Sequence, residues 1–365
     1  MKIALVHEFL NQLGGAERVL QNFLEIWPDA TLHSLIYDQQ KTKGIFDAYH
    51  RRMSFIDKLP LAHSHHRWLL PFMPWSVERF KFQDFDVVIS DSSSFSKGVN
   101  TKGKLHICYC HTPTRFLWTE YASYLEVQKV PRLVKLIAHP VLRMVRNWDY
   151  RAAQKPDFFI ANSINVQNRI KKFYNRDSVV IPPPVDTAMF YPQGEKQDYF
   201  FSASRLEPYK KIDLVVRAFN DSGLKLKVAG TGTMLEDLKK FAKPNIEFLG
   251  KISDDELRHN YSESRAFIFP AEEDAGIMVL EAQACGTPVI AYRAGGALET
   301  VKEGVTGEFF DQQTSDSLKQ VIGKFNTAKY NSDQIRENAL KYDKKIFQKK
   351  IVDFVESKYL EFNRS

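Results

Sequence analysis

The sequence predicts an α/β protein of two Rossmann-like domains, each a doubly wound parallel sheet, facing each other across a cleft. Three observations predict it. The chain has 365 residues, more than one ordinary core holds and enough for two. Short apolar, β-branched runs alternate with stretches of helical periodicity, and such alternation builds parallel sheets. Near the midpoint Pro182-Pro183-Pro184 breaks the pattern, because proline lacks the N–H that a helix interior or a central strand needs.

In the first half the apolar runs are Ile3–Val6, Leu32–Ile36, Asp86–Ser90, Leu105–Cys110, Asp157–Ala161 and Val179–Ile181. In the second half they are Tyr199–Ala203, Leu224–Ala229, Ile246–Leu249, Ala266–Phe269 and Val289–Ala291. Each is expected to be a buried strand. The polar stretch Tyr191–Asp198 separates the halves, so domains are expected at 1–190 and 191–345, with a last helix over 346–365 packing back on the first. Ligands of open parallel sheets lie beyond the carboxyl ends of the strands, which places the expected site in the cleft.

Composition narrows the class. Hydrophobic residues make up 44% and charged residues 26%, which excludes disordered and fibrous chains. There is no apolar run of about 18 residues, the length a spanning helix needs. The opening Met1–Phe9 reads as a buried strand and not as a secretory signal, because Glu8 interrupts a short apolar stretch. Three cysteines, an odd and sparse set, argue against a disulfide framework and suit a reducing cytosol. Cys108 and Cys110 share a strand face with no matching Cys/His pair downstream, so they are expected as small core residues. The net charge of +7 suits an anionic partner, whether nucleic acid, lipid or nucleoside diphosphate.

The densest chemistry lies in Phe269-Pro270-Ala271-Glu272-Glu273-Asp274-Ala275-Gly276-Ile277-Met278-Val279-Leu280-Glu281-Ala282. A strand ends, an acidic turn follows, and a helix starts near Gly276 and Ile277. Unpaired N–H groups at a helix start attract phosphate, and glycine lets a ligand approach. A carboxylate such as Glu281 can accept two hydrogen bonds from a ribose diol. The same segment could be a capped helix with an acidic first turn. The small apolar neighbours of Glu281 in Val279–Ala284 favour the functional alternative.

This segment, continued through Cys285-Gly286-Thr287-Pro288-Val289-Ile290, resembles the Glu-x7-Glu signature of retaining glycosyltransferases of family four, which have the GT-B fold. The resemblance implies that Glu273 faces the donor sugar and Glu281 binds the donor ribose. Ala275 departs from the aromatic residue usual before the glycine, which implies a reshaped sugar pocket. Ser204-Arg205-Leu206-Glu207-Pro208-Tyr209-Lys210-Lys211 is similar to the family's Arg-Leu…Lys element, whose arginine and lysine neutralise the leaving diphosphate; guanidinium fork and mobile ammonium suit that charge. Arg205 and Lys210 fit best, and Lys211 stands where glycine is usual. Gly14-Gly15-Ala16-Glu17 resembles the family's first glycine loop against the donor. It is not the dinucleotide fingerprint. Gly230-Thr231-Gly232 stands where the family has a glycine turn, and Gly250-Lys251-Ile252 where its backbone meets the base. Asp84-Phe85-Asp86 looks like a metal-binding Asp-x-Asp, but Asp86 opens a strand at the wrong end of the sheet, and the family needs no metal.

Cys110-His111-Thr112-Pro113-Thr114-Arg115-Phe116-Leu117-Trp118 closes a first-half strand. On position alone His111 would be a satisfied histidine packed on Trp118. The family's His-x-Pro element makes it a candidate catalytic residue beside Glu273. With Ser96-Lys97-Gly98, Trp148-Asp149, Asn162-Ser163 and Pro183-Pro184-Val185-Asp186, it resembles a subgroup of bacterial mannosyltransferases that assemble surface polysaccharides. The resemblance implies a hexosyltransferase using a sugar nucleotide as co-substrate, GDP-mannose above all, with neither cofactor nor metal. The implied acceptor is a glycan or polyprenyl-linked glycan.

Residues 129–151 hold Lys129, Arg132, Lys135, Arg143, Arg146 and Arg151 against one acid, Asp149. With His139 they make a helical stripe, which suits a solvated face or an anionic membrane surface. Pro140 is expected to split the helix. Upstream, His65-His66-Arg67-Trp68-Leu69-Leu70 and Phe72-Met73-Pro74-Trp75 mix basic and aromatic residues as interfacial segments do. They form no stacking platform for nucleic acid. The expected location is cytoplasmic, peripheral on the inner face of a membrane. An epimerase or phosphorylase on the same fold and a non-catalytic nucleotide- or glycan-binding partner of an assembly complex are the rival functions.

Overall fold

The computed structural model describes residues 1–60, 62–119 and 132–364, without the side chains of Arg67 and of residues 132–137. The chain forms two compact units, Met1–Pro182 with Phe347–Ser365, and Pro183–Ile346. The division falls inside the proline run, ahead of residue 190. Val185 draws the following residues into the second unit: its N–H donates to Tyr342 O at 2.9 Å and its C=O accepts from Lys344 N–H at 3.0 Å.

In the first unit the strands are β1 (Ile3–Leu10), β2 (Thr31–Tyr37), β3 (Arg51–Met53), β4 (Val87–Ser92), β5 (Leu105–Cys110), β6 (Phe158–Ala161) and β7 (Val179–Val180). They lie in the order β3-β2-β1-β4-β5-β6-β7, every pair parallel. Leu5 stands opposite Leu32 on one side and Ile89 on the other. Both faces are covered, which is why β1 reads as an unbroken apolar run. Leu5 packs with Phe23, Ile107 and Tyr109, and Val6 with Met73, Val77, Leu142 and Val145. The helix Lys344–Phe362 adds Phe347, Ile351 and Val355 to the first of these clusters. Their four-residue spacing puts them on one helix face.

Pro140 does not split its helix, which runs unbroken over Arg132–Ala152. Proline removes one backbone donor there, and burial of Leu142 and Val145 in the core holds the helix together. Lys129 lies outside the described residues, as do the side chains of Arg132 and Lys135.

The second unit contains β8 (Phe200–Ala203), β9 (Leu226–Ala229), β10 (Ile246–Gly250), β11 (Phe267–Phe269), β12 (Val289–Tyr292) and β13 (Gly307–Phe310). Their order is β10-β9-β8-β11-β12-β13, again all parallel. Phe201, Phe267 and Phe269 pack on one face with Tyr261, while Phe200, Ile268 and Ile290 pack on the other. In both sheets the strand order reverses beside the first strand, between β1 and β4 and between β8 and β11. Loops leaving the strands on either side of such a reversal diverge and open a crevice.

Candidate functional site

In the second unit, two loops that leave β8 and β11 meet. Lys210 closes the short turn Pro208–Lys210, and its Nζ is ion-paired with a carboxylate oxygen of Glu273. A candidate catalytic residue, Glu273, and a candidate donor-binding residue, Lys210, are therefore in contact. Arg205, in the same loop as Lys210, is exposed. That loop is shaped by close backbone approach. At Gly230, φ is 125° and a Cβ would sit 1.8 Å from Ser204 O, so no side chain fits. Gly230 N–H donates to Gly250 O at 2.7 Å, and Leu206 N–H to Thr231 O at 2.9 Å. Gly230 and Gly250 thus support the Arg205 loop. Lys251 is exposed and Ile252 packs on the core beside β11.

The turn after β11 is braced from below. Gly296 N–H donates to Glu273 O at 2.8 Å, and Gln313 Nε2 donates to Pro270 O at 3.0 Å. A Cβ on Gly295 would lie 2.2 Å from Glu273 O. Gly276 adopts the left-handed conformation, φ 65° and ψ 50°, and caps the helix Ile277–Ala284. Glu281, in the second turn of that helix, is 3% exposed and accepts a hydrogen bond from Tyr261 OH at 3.3 Å. A charged group buried among alanines and valine costs free energy unless partners offset it. Lys211 has φ 57°, the left-handed conformation that makes glycine the easy choice at this position.

The first unit gathers a different set at the ends of β1, β4 and β5. Gly14 caps the helix Gly15–Ile26, and its N–H donates to Glu17 Oε2 at 2.8 Å. The other Glu17 oxygen lies 3.7 Å from His7 Nε2. His7 Nδ1 is 2.8 Å from Asp91 Oδ2, and Asp91 Oδ1 is 2.5 Å from His111 Nε2. Asp91 is fully buried, and His111 is 12% exposed at the end of the chain of contacts. Burial works against the charge on His7, but the hydrogen bond to Asp91 and the nearby Glu17 carboxylate outweigh it and raise its pKa to about 10. Burial likewise opposes the charges on Glu17, Asp91 and His111, and the same partners reverse it, lowering both carboxyls and raising His111. Backbone contacts fix the His111 peptide: its N–H donates to Ser92 O at 2.8 Å and its O accepts from Asn162 Nδ2 at 2.9 Å.

Beside this set lies a buried ion pair. Lys97, 1% exposed, reaches Asp149 at 2.6 Å. Asp149 also accepts from Thr114 Oγ1 at 2.8 Å, Trp118 Nε1 at 2.7 Å and Tyr174 OH at 2.8 Å. A Cβ on Gly98 would lie 2.4 Å from the Trp148 ring. Ser96-Lys97-Gly98, the residues after His111, and Trp148-Asp149 are therefore one packed support. Sequence reasoning missed His7, Asp91, Gly295 and Gly296, and gave Glu17 no role. Polar residues at the carboxyl ends of apolar strands, and a second Gly-Gly after a strand, were the available signals.

On the expected membrane-facing segments, Trp68 is 77% exposed, with Phe72, Trp75 and Met144 also exposed. The Arg146 guanidinium stacks 4.4 Å over Trp118. Among the described residues no helix is long and apolar enough to cross a membrane.

Two doubly wound parallel sheets, each with charged side chains at its point of reversal, define a protein of two Rossmann-like α/β units. Residues 13–189 match the model described as Glycosyltransferase Family 4, and residues 190–342 match Glycosyl transferases group 1. The chain belongs to these GT-B glycosyltransferases of family four. It is similar to an uncharacterised glycosyltransferase of Methanocaldococcus jannaschii, 27% identical over 223 residues that span 58% of this chain and 62% of the relative. A GDP-mannose-dependent α-(1-6)-phosphatidylinositol monomannoside mannosyltransferase of Mycolicibacterium smegmatis is 31% identical over 39% of this chain and 45% of its own. The matches thus span less than two thirds of these relatives. HepE of Anabaena, solved with UDP, shares the fold at a TM-score of 0.75 and 17% identity, covering 98% of this chain and all of HepE's.

Proposed function

We propose that the protein transfers a hexose, mannose from GDP-mannose, to a hydroxyl of a glycan or polyprenyl-linked glycan, with retention of anomeric configuration, in polysaccharide synthesis. The observation that carries this is the Lys210–Glu273 pair, set one turn ahead of the glycine-capped helix that holds buried Glu281. Arg205 and Lys210 offer positive charge to a departing diphosphate, which is electrostatic catalysis without a metal. In the second unit Glu281 takes the ribose and Glu273 the sugar; in the first, His111, Gly14 and Gly15 are the groups assigned to substrate contact. Gly276 and Ile277 present backbone N–H groups to phosphate. The mannosyltransferase relative supports a guanine base, while UDP in HepE supports uridine as the second reading.

The exposed Trp68, Phe72, Trp75 and Met144, together with exposed Arg143, support work at an anionic membrane surface on its cytoplasmic side. A thermal-shift panel with GDP, UDP, ADP and their sugar conjugates tests the donor site. A ligand at about 100 times its Kd stabilises a fold by about 2.7 kcal/mol. The expected result is a shift with one base only, lost in Glu281→Ala. No shift with any nucleotide in folded protein overturns the assignment.

A further inference from the structure

The four groups Glu17, His7, Asp91 and His111 form a continuous buried line of carboxylate and imidazole. Asp91 reaches both rings, 2.8 Å from His7 Nδ1 and 2.5 Å from His111 Nε2. An ionised carboxylate only accepts hydrogen bonds, so each facing nitrogen carries a proton. That leaves Nδ1 as the His111 nitrogen a ligand would meet.

We propose that Asp91, backed by His7 and Glu17, is a positioning residue that locks His111 so that it meets the donor through a charged Nδ1–H and acts as a hydrogen-bond donor, not as a base. The assignment of the ligand rests on the proposed donor site. Facing His111 are Asp91 on β4, His7 and Glu8 on β1 and the Tyr109 ring on β5, with Cys110 its chain neighbour and Glu17 one step further along, against His7. Glu8 is separately saturated, accepting from the N–H groups of Ser93, Ser94 and Ser96 and the hydroxyls of Ser92 and Ser96. Burial holds the Tyr109 phenol and the Cys110 thiol neutral. Two protonated imidazoles then balance Asp91 and Glu17, with Glu8 adding negative charge. Burial disfavours the His111 cation and Asp91 restores it, with His7 opposing and Glu8 assisting. An imidazolium cannot take a proton from an acceptor hydroxyl, but it stabilises an oxygen that gains negative charge. The ligand atom it fits is an electron-rich oxygen of the sugar nucleotide.

The test is nitrogen-15 imidazole NMR of the full chain without ligand, with His111 assigned through His111→Gln. His111 should remain doubly protonated at pH 7. Asp91→Asn should bring its titration down by at least one pH unit. His7→Asn should move it up, because the competing cation is gone while the amide still donates to Asp91. That opposite shift is one a merely structural role would not give, and His7→Asn carries the test if Asp91→Asn fails to fold. A neutral His111 at pH 7, or a titration that His7→Asn leaves in place or lowers, overturns the proposal. In turnover assays the alkaline limb of kcat should move with the same signs; a fall in kcat with an unmoved limb overturns it too. Because the spectra need no donor, they stand apart from failure of the nucleotide panel.

Discussion

At the strand reversal of the first sheet, charge is sealed in: Asp91 is fully buried between two histidines, and Lys97 is buried against Asp149. At the matching point of the second sheet, the Lys210–Glu273 pair is partly exposed and stands between loops, resting on glycine turns. The same strand order around the reversal therefore supports two kinds of site. The first is a fixed electrostatic scaffold whose charges are committed to one another. The second holds a pair whose two side chains keep some contact with solvent, at 14% and 23% exposure.

The largest effect that would sharpen this contrast is in the scaffold. Lys97→Met leaves the Asp149 carboxylate buried without its cation, and breaking such a pair costs about 3–5 kcal/mol. Urea unfolding should show that loss; a change below about 1 kcal/mol would break the contrast. The next effect is with pH. His7 is raised above its ordinary 6.5 to about 10, so its contribution is fully present below 6.5 and fades as pH rises toward 10. Stability should fall by on the order of 3 kcal/mol between pH 6.5 and 9. The fall should flatten in His7→Asn. Asp91 and Glu17, held low, withdraw support on the opposite side, as pH falls through the carboxylate range.

Smaller effects belong to the second unit. Lys210→Met and Glu273→Gln should each change unfolding free energy by less than about 1 kcal/mol while removing the donor-induced thermal shift. Equal losses of stability and binding would mean that this pair is scaffold as well. Smallest of all, Lys211→Gly should raise stability by up to about 1 kcal/mol, since it relieves a left-handed non-glycine residue. An unchanged or lower melting temperature would count against strain there.

The strands that read clearly in the sequence were those buried on both faces, such as β5, Leu105–Cys110, where apolar side chains fill consecutive positions. The two strands that did not, β3 and β13, are sheet edges. Arg51-Arg52-Met53 is short and half exposed, and β13 begins on glycine, so neither shows the apolar run by which strands are found. Within the candidate site, Lys210, Glu273 and Glu281 were legible because local motifs carry them. The His7–Asp91–His111 line was not, since it joins three strands distant in sequence and short-range spacing does not reveal such contacts. Gly295 was equally hidden: what demands glycine there is the Glu273 carbonyl on another loop.

The path of the chain has a consequence for synthesis. The first unit is interrupted by the whole of the second and is completed only by the helix that brings Phe347, Ile351 and Val355 against Phe23 and Tyr109. A ribosome moving from the N-terminus must therefore finish the second unit before the first can close its core. Until then the Phe23–Tyr109 surface waits uncovered for residues made after the second unit.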